Sequence, residues 1–310
     1  MAADAFTPEE VRALRSLWPL DPVRAFTNHG SYGGVPHPVL NVAMGFAERI
    51  ARNPNAFFVP DRVPLLPEAL SSVATFVGAD PEGVAFVPNV TTAASVLAAS
   101  MRFQAGDEIV VTSHGYGAVT MAMQRYAADA GARVVTARLS LTPTTEEIAS
   151  AIAEVTTRHT RLVVLDHITS MTARLYDVAT IAEPFAVQGI LVAVDGAHAT
   201  GTLDLNLESL AASGVGMWFG NLHKWASAPP GAALMYAVPT LRDRLRPLVV
   251  SWREPDGYPW SLNYPGHLES HELACSPPRP SPSTRTWGMP VSAPTGSGSL
   301  GRGRARWRRP

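Results

Sequence analysis

Between residues 67 and 199 the chain alternates between short apolar runs and longer segments with a helical pattern. The apolar runs, typical of buried β-strands, lie at 83–88, 108–113, 132–139, 161–168 and 190–199. An amphipathic stretch at 67–80 precedes them, and helical patterns at 91–101, 118–131, 144–156 and 178–189 separate them. Short strands joined by helices of this length predict an α/β fold, a mostly parallel sheet with helices on both faces.

Polar residues follow several of these strands at the point where each strand ends. They form the groups 89–92, 113–116, 166–170 and 195–198. In a parallel sheet the carboxyl ends of the strands share one edge, and ligands bind there. The sequence therefore predicts a ligand site built from these groups.

Lys224, within GNLHKWASAPPG (220–231), is the only lysine in the chain, whereas arginine supplies every other strong cation. A guanidinium stays protonated at any working pH, but a desolvated ε-amine can lose its proton and attack a carbonyl to form a Schiff base. Lys224 is therefore a candidate nucleophile. The alternative is an ordinary surface cation.

Three of the strand-end residues suit the ring of pyridoxal 5'-phosphate (PLP), a cofactor that forms a Schiff base with lysine. The pyridine nitrogen of PLP needs a carboxylate beside it, and Asp195 is placed for that. His198 could bond the phenolic oxygen, and Tyr116 could stack on the ring. Each residue also has an ordinary structural interpretation, as a turn cap, a loop histidine or a core aromatic.

The phosphate of such a cofactor requires backbone N–H groups at a helix N-terminus, with hydroxyl groups nearby. NVTTAAS (89–95) offers Thr91 and Thr92, followed by small residues that permit close approach. His223, beside Lys224, could add a contact to the phosphate. The alternative for the threonines is a simple helix cap.

Six short runs carry a resemblance to a known family. They are NHGSYGG (28–34), NVTTAAS (89–95), SHGYGAV (113–119), DHITS (166–170), DGAHATG (195–201) and GNLHKW (220–225). Over roughly residues 20 to 265 the chain resembles the class V aminotransferase family of PLP enzymes, in its isopenicillin N epimerase-like branch. The resemblance implies the large-domain fold of the fold-type I PLP enzymes.

The resemblance also implies roles for individual residues. Lys224 would form the internal aldimine and carry protons, and Asp195 would pair with the pyridine nitrogen. His198 would bond the phenolic oxygen and Tyr116 would stack on the ring. Thr92 and His223 would lie at the phosphate. The implied protein is a homodimer that acts on an amino acid by epimerisation, transamination or a related reaction.

The sequence predicts three segments: an N-terminal helical arm at 1–20, a PLP-binding large domain at 21–266, and a tail at 267–310. Thr7, Pro8 and Glu10 have the spacing of a capped helix start in the arm. The tail has 19 Pro, Ser or Gly among 44 residues, with seven Arg, and predicts disorder. In the family a small domain would follow here, so its absence predicts that the chain binds PLP but turns over amino acids poorly.

Composition argues against several classes of partner. The formal net charge is −1, which nominates neither nucleic acid nor an anionic membrane, and no apolar run of membrane-spanning length occurs. The single cysteine, Cys275, cannot form an internal disulfide and is compatible with a reducing cytosol. We therefore expect a cytoplasmic protein without a nucleic-acid or membrane partner.

Three other interpretations stay open. A metal-dependent hydrolase could gather Asp166, His167, Asp195, His198 and His223, but no HExxH-type spacing occurs and no metal site is predicted. A PLP-binding remnant without catalysis would follow from loss of the small domain. A C–S lyase or cysteine desulfurase is the third; a desulfurase needs a nucleophilic thiol, and the sole thiol, Cys275, lies in the tail.

Overall fold

The computed structural model describes residues 7–262, and a seven-stranded β-sheet forms the centre of this part of the chain. The strands are β1 (Val84–Val87), β2 (Glu108–Thr112), β3 (Arg133–Ala137), β4 (Thr160–Asp166), β5 (Leu191–Asp195), β6 (Val215–Asn221) and β7 (Ala233–Ala237).

Ten α-helical segments surround the sheet within residues 7–262. They are α1 (Pro8–Arg15), α2 (His37–Arg52), α3 (Pro54–Ala56), α4 (Arg62–Val77), α5 (Val90–Ser100), α6 (Gly117–Asp129), α7 (Thr145–Val155), α8 (Val178–Ala186), α9 (Leu207–Ala212) and α10 (Pro239–Arg242). A π-helical turn (Phe57–Asp61) joins α3 to α4, and short 3-10 turns lie at Pro81–Gly83, Glu254–Asp256 and Trp260–Leu262.

The order of strands across the sheet is β1-β7-β6-β5-β4-β2-β3. Strands β2 to β6 are mutually parallel, whereas β7 runs antiparallel to both β6 and β1. This arrangement confirms the predicted α/β class with a mostly parallel sheet. The antiparallel strand β7 was not anticipated.

Helices cover both faces because alternate residues of each buried strand point to opposite sides. Val110 and Val163 face one side, where α4, α7 and α8 pack. Ile109 and Leu162 face the other side, where α5 and α6 pack. The strands other than the partly exposed edge strand β3 are largely buried on both faces for this reason, as expected for a sheet between two helical layers.

The start of α1 agrees with the sequence-based prediction. Thr7 is the N-cap, Pro8 is the first helical residue, and the side chains and backbone N–H groups of Thr7 and Glu10 form a reciprocal capping box. The division of the chain into arm, large domain and tail stays a prediction, since the tail lies outside the described residues.

The carboxyl ends of four adjacent strands bring Thr112, Asp166, Asp195 and Asn221 to one edge of the sheet. Asp166 and Asp195 are direct neighbours in the register of β4 and β5. The predicted run 190–199 leaves the sheet after Asp195, since the next residues form a turn: the Ala197 N–H donates to Asp195 Oδ1 at 2.9 Å and the Ala199 N–H to the Gly196 carbonyl at 2.8 Å. The polar residues that follow therefore lie on a turn above the edge.

Across residues 7–262, no helix combines the length and apolar character needed to cross a bilayer.

At the opposite edge, Glu108 joins the starts of three strands. Its carboxylate accepts hydrogen bonds from Arg133 Nε at 3.1 Å, from Thr157 Oγ1 at 2.7 Å and from Thr160 Oγ1 at 3.3 Å. These contacts, with the charge of Arg133, hold the pKa of the buried Glu108 carboxyl below its usual range despite the opposing effect of burial. Glu108 therefore stabilises the fold as a charged group.

We expect Glu108→Gln to lower the free energy of unfolding by about 1–3 kcal/mol at neutral pH, since hydrogen bonds to a charged group are lost. A depressed pKa gives stability that is fully present above about pH 4.5 and is lost as pH falls through the pKa of the folded state. The difference between variant and parent should therefore shrink in acid. Urea unfolding at several pH values measures it, with the exposed Glu154→Gln as control. A pH-independent difference would contradict the account.

Candidate functional site

Lys224 lies in the loop between β6 and β7, at the carboxyl edge of the sheet, and is only 9% exposed. Its Nζ is 3.2 Å from Nε2 of His198 and 5.8 Å from the centre of the Tyr116 ring. Desolvation lowers the pKa of the Lys224 amine, and the nearby Asp195 carboxylate partly opposes this. The structure thus brings three of the predicted site residues together around an amine that gives up its proton more readily than usual.

Asp195 is the buried carboxylate of this cluster. Its Oδ1 accepts a hydrogen bond from the N–H of Ala197 at 2.9 Å. Its Oδ2 is buried and has no hydrogen-bond partner among the described residues. Burial raises the pKa of the Asp195 carboxyl to about 6, against the opposing effects of the Ala197 N–H and of Lys224.

An unpartnered buried carboxylate oxygen in a folded protein calls for an explanation, and a missing ligand is one. A protonated pyridine nitrogen supplies the N–H donor and positive charge that Asp195 Oδ2 lacks. The donor set at this edge (amine, carboxylate, imidazole and phenol ring) therefore fits PLP on an observation independent of any sequence motif.

Asp166 is a second buried carboxyl beside the first, and no sequence motif predicted a role for it in binding PLP. It pairs with Asp195 in the register of β4 and β5. Burial and, next, the charge of Asp195 raise the pKa of the Asp166 carboxyl well above its usual value. Two neighbouring buried carboxyls disfavour double ionisation. A cation bound beside them at this edge would favour their charged forms.

The helix that the sequence predicted to hold a phosphate begins one residue earlier than expected. Asn89, not a threonine, caps α5: its Oδ1 accepts from the Thr92 N–H at 2.8 Å and from the Thr92 hydroxyl at 3.2 Å. Thr91 and Thr92 lie in the first turn of α5, where backbone N–H groups lack intrahelical partners.

Asn221, at the end of β6, ties this helix to the lysine loop. Its Oδ1 accepts a hydrogen bond from the N–H of Val90 at 3.0 Å. The start of α5 is thereby fixed to a residue three positions before Lys224. The sequence contained this residue within GNLHKW but gave no signal for its contact.

His223 has a defined tautomer. A carbonyl oxygen only accepts hydrogen bonds, so the 2.9 Å contact between Nδ1 and the Ala232 oxygen places the proton on Nδ1. Nε2 of neutral His223 is then an acceptor, and burial lowers the pKa of the imidazole. A hydrogen bond from His223 to a phosphate therefore requires a second proton, which a phosphate dianion would favour.

The segment NHGSYGG packs directly on the lysine loop. The N–H of Gly33 donates to the carbonyl of His223 at 2.8 Å. A Cβ at Gly33 would overlap the carbonyl oxygen of Lys224. Only glycine permits this approach, so the backbone at 28–34 holds the lysine loop in place.

The residues of the metal-hydrolase alternative do not form a ligand set here. Among the described residues, no group of three or more His, Cys, Asp or Glu side chains is arranged to hold a metal ion.

Together, the sheet topology and the edge that carries the lysine define an α/β protein with the large-domain fold of the fold-type I PLP enzymes. The sequence profile of the family described as aminotransferase class-V matches residues 36–252. The chain belongs to the class-V aminotransferase family.

The relatives of known name include isopenicillin N epimerases and L-cysteine desulfhydrases. The chain is 34% identical over 242 residues to isopenicillin N epimerase of Streptomyces clavuligerus and 33% identical over 243 residues to that of Amycolatopsis lactamdurans. Each match covers 77% of this chain and 60% of the relative. A probable chloroplastic L-cysteine desulfhydrase of Arabidopsis thaliana is 27% identical over 232 residues, 70% of this chain and 48% of the relative. The chain thus spans about 60% of the length of the epimerases it matches.

Solved structures share the fold at low sequence identity. A lysine mutant of C-DES, with glycine covalently linked to its PLP cofactor, superposes with a TM-score of 0.74 at 21% identity, covering 84% of this chain and 71% of that one. The cystine C–S lyase C-DES in complex with cysteine persulfide gives 0.72 at 22% identity, over 81% and 69% of the two chains.

Proposed function

We propose that this chain binds PLP at the carboxyl edge of its sheet and acts on an amino acid at its Cα. The observation that carries the proposal is the pairing of a desolvated lysine amine with a buried carboxylate oxygen that lacks a partner. Family membership and the epimerase and desulfhydrase names among the relatives support the same class of reaction.

Each site residue then has a chemical task. Lys224 Nζ would hold the cofactor and would move a proton at the substrate Cα. Asp195 Oδ2 accepts from the pyridine N–H and keeps it protonated, and PLP supplies an electron sink for charge that develops at Cα. His198 donates to the phenolic oxygen.

The remaining predicted residues bind and orient. The Tyr116 ring, 45% exposed and facing Lys224 Nζ, offers a surface for stacking. The Thr91 N–H in the first turn of α5 would hold the phosphate with the aid of the helix dipole. Thr92 would contact the phosphate only after releasing Asn89 Oδ1, to which its N–H and hydroxyl donate in the structure. His223, once doubly protonated, adds a charged contact.

We assign epimerisation as the first candidate reaction, because isopenicillin N epimerases match at 34% and 33% identity. Lys224 would remove the Cα proton on one face, and return of a proton on the other face would invert the centre. Elimination of a thiol from cysteine is the second candidate, since relatives named as L-cysteine desulfhydrases also match. It starts with the same proton transfer and needs no thiol of the protein.

We also propose that the protein is a homodimer, as the family resemblance implies, and that it is cytoplasmic, as the single cysteine suggests. Sedimentation velocity on the purified chain would measure the dimer. The C-terminal tail and any small domain lie outside the described residues, so a PLP-binding form with weak turnover stays the competing proposal.

Proton exchange in D₂O tests the proposal. With PLP added, we expect the protein to exchange the Cα proton of one or more amino acids. Loss of optical activity would indicate epimerisation, whereas release of sulfide from cysteine would indicate elimination. PLP binding without exchange of any Cα proton would overturn the enzyme proposal and favour the non-catalytic form.

A further inference from the structure

One imidazole, that of His198, bridges Lys224 and the residue that follows it. The indole Nε1 of Trp225 lies 3.3 Å from His198 Nδ1, and His198 Nε2 lies 3.2 Å from Lys224 Nζ. Trp225 lies within the GNLHKW run, but the sequence analysis predicted no role for it. None of the roles assigned above requires it.

The chemistry of the three groups fixes where the protons are. An indole N–H only donates, so His198 Nδ1 must accept. A neutral imidazole has one donor and one acceptor nitrogen, so the proton of His198 lies on Nε2. Burial lowers the pKa of His198 to about 4, so the ring is neutral at pH 7.

The tautomer of His198 determines the protonation state of the Lys224 amine. His198 Nε2–H points its proton at Lys224 Nζ, and only an unprotonated amine has a lone pair to accept it. In this tautomer the 3.2 Å contact is a hydrogen bond from His198 Nε2–H to a neutral Lys224 amine. An ammonium would instead place two donors against each other.

We propose that Trp225 is a positioning residue: its indole N–H fixes His198 in the Nε2–H tautomer, and His198 in turn holds the Lys224 amine uncharged and ready to attack a carbonyl carbon. The same Nε2–H is the donor that the phenolic oxygen of PLP requires. The tautomer stands on this geometry alone, whereas its use in cofactor capture rests on the proposed function.

The other groups around Lys224 also influence whether its amine is charged. The carboxylate of Asp195 and the ring of Tyr116 both favour the charged ammonium. His223 is neutral, with its Nδ1 proton committed to the Ala232 carbonyl. Burial favours the neutral amine, and in the proposed tautomer the His198 N–H adds to this effect. Loss of one hydrogen bond can therefore shift the balance.

The structure offers matched controls. Trp225 is 39% exposed, and Trp225→Phe keeps an aromatic ring at this position while it removes the indole N–H. Trp252 is 98% exposed, so Trp252→Phe is the control for removing an indole at a distant position. A second indole–imidazole pair, Trp218 Nε1 to His167 Nδ1 at 3.3 Å, lies in the core and reports whether an effect is local.

Nitrogen-15 NMR of the histidines in the full chain, without added PLP, tests the tautomer. We expect His198, assigned by its loss in His198→Gln, to carry its proton on Nε2 in the parent protein. In Trp225→Phe the Nδ1–H tautomer should become populated, while His167 and the Trp252→Phe spectrum stay unchanged. A proton on Nδ1 in the parent, or an unchanged His198 in Trp225→Phe, would overturn the proposal.

The sole lysine gives a second readout. In protein labelled with carbon-13 lysine, Lys224 contributes the single lysine side-chain signal, and its titration follows one amine. We expect the pKa of Lys224 to rise in Trp225→Phe, because a freed His198 can present an acceptor to the ammonium. An unchanged or lower pKa would contradict the proposed coupling.

These measurements do not depend on turnover, so the two proposals can fail separately. If the parent shows the Nε2–H tautomer, Trp225→Phe loses it, and no PLP attaches, the proposal for Trp225 and His198 stands and the proposed cofactor role is rejected. PLP attachment with a proton on Nδ1 of His198 would do the opposite.

Discussion

Lys224→Ala is expected to abolish covalent attachment of PLP and to lower Cα proton exchange by at least about 10²–10⁴-fold, the range ascribed to a positioned acid or base. The variant removes both the nucleophile and the proton carrier while leaving the sheet intact, since the side chain lies on a loop at its edge. Lys224→Arg is the matched control. It keeps a long side chain at this position, yet its guanidinium stays protonated and cannot attack a carbonyl.

Exchange measured by proton NMR in D₂O compares parent and variants on the same amino acids. The rate of Cα proton exchange should fall in both variants. This result would assign the loss to the chemistry of the amine and not to the charge or volume of the side chain. Exchange in Lys224→Ala within threefold of the parent would reject Lys224 as the proton carrier.

Asp195→Asn is expected to weaken PLP binding by about 10–100-fold, the equivalent of one hydrogen bond to a charged group. An amide cannot hold the pyridine nitrogen protonated, so Cα exchange should fall as well. Titration of the variant with PLP, followed by its absorbance, measures the affinity. The control is Asp204→Asn, at an exposed position between β5 and α9. An equal loss of PLP affinity in both variants would argue against a specific role for Asp195.

The same substitution has a consequence for the protein without cofactor. The pKa of Asp195 is raised from 3.8 to about 6, so ionisation of this carboxyl is opposed by the fold. Its cost is absent below about pH 4, grows as pH rises through the window between 4 and 6, and is complete above that. The parent should therefore lose about 2–3 kcal/mol of stability relative to Asp195→Asn between pH 4 and pH 7. Urea unfolding at both pH values measures this, and a constant difference would contradict it.

The sequence predicted the sheet well where strands and helices alternate. Strands β1 to β5 and the helices between them lie within one to four residues of the predicted bounds. It did not yield β6 and β7. The run at β6, Val215–Asn221, is buried on both faces and carries glycines and a tryptophan, so it has no period to detect.

For the site, the sequence identified residue types but not their hydrogen bonds. It favoured threonines at the start of α5, whereas Asn89 supplies the cap because its side chain reaches the N–H of Thr92. Trp225 gave no signal, since its task depends on a contact with His198, 27 positions earlier. Protonation states follow from such pairs, and no local pattern encodes them.

Borohydride reduction followed by peptide mass mapping tests the central claim most directly. The claim is that Lys224 is the covalent PLP lysine, and the chain offers no other lysine to confuse the result. The account predicts a reduced pyridoxyl group on the peptide that contains Lys224, in proportion to bound PLP, and none in Lys224→Arg. Bound PLP that leaves this peptide unmodified after reduction would contradict it.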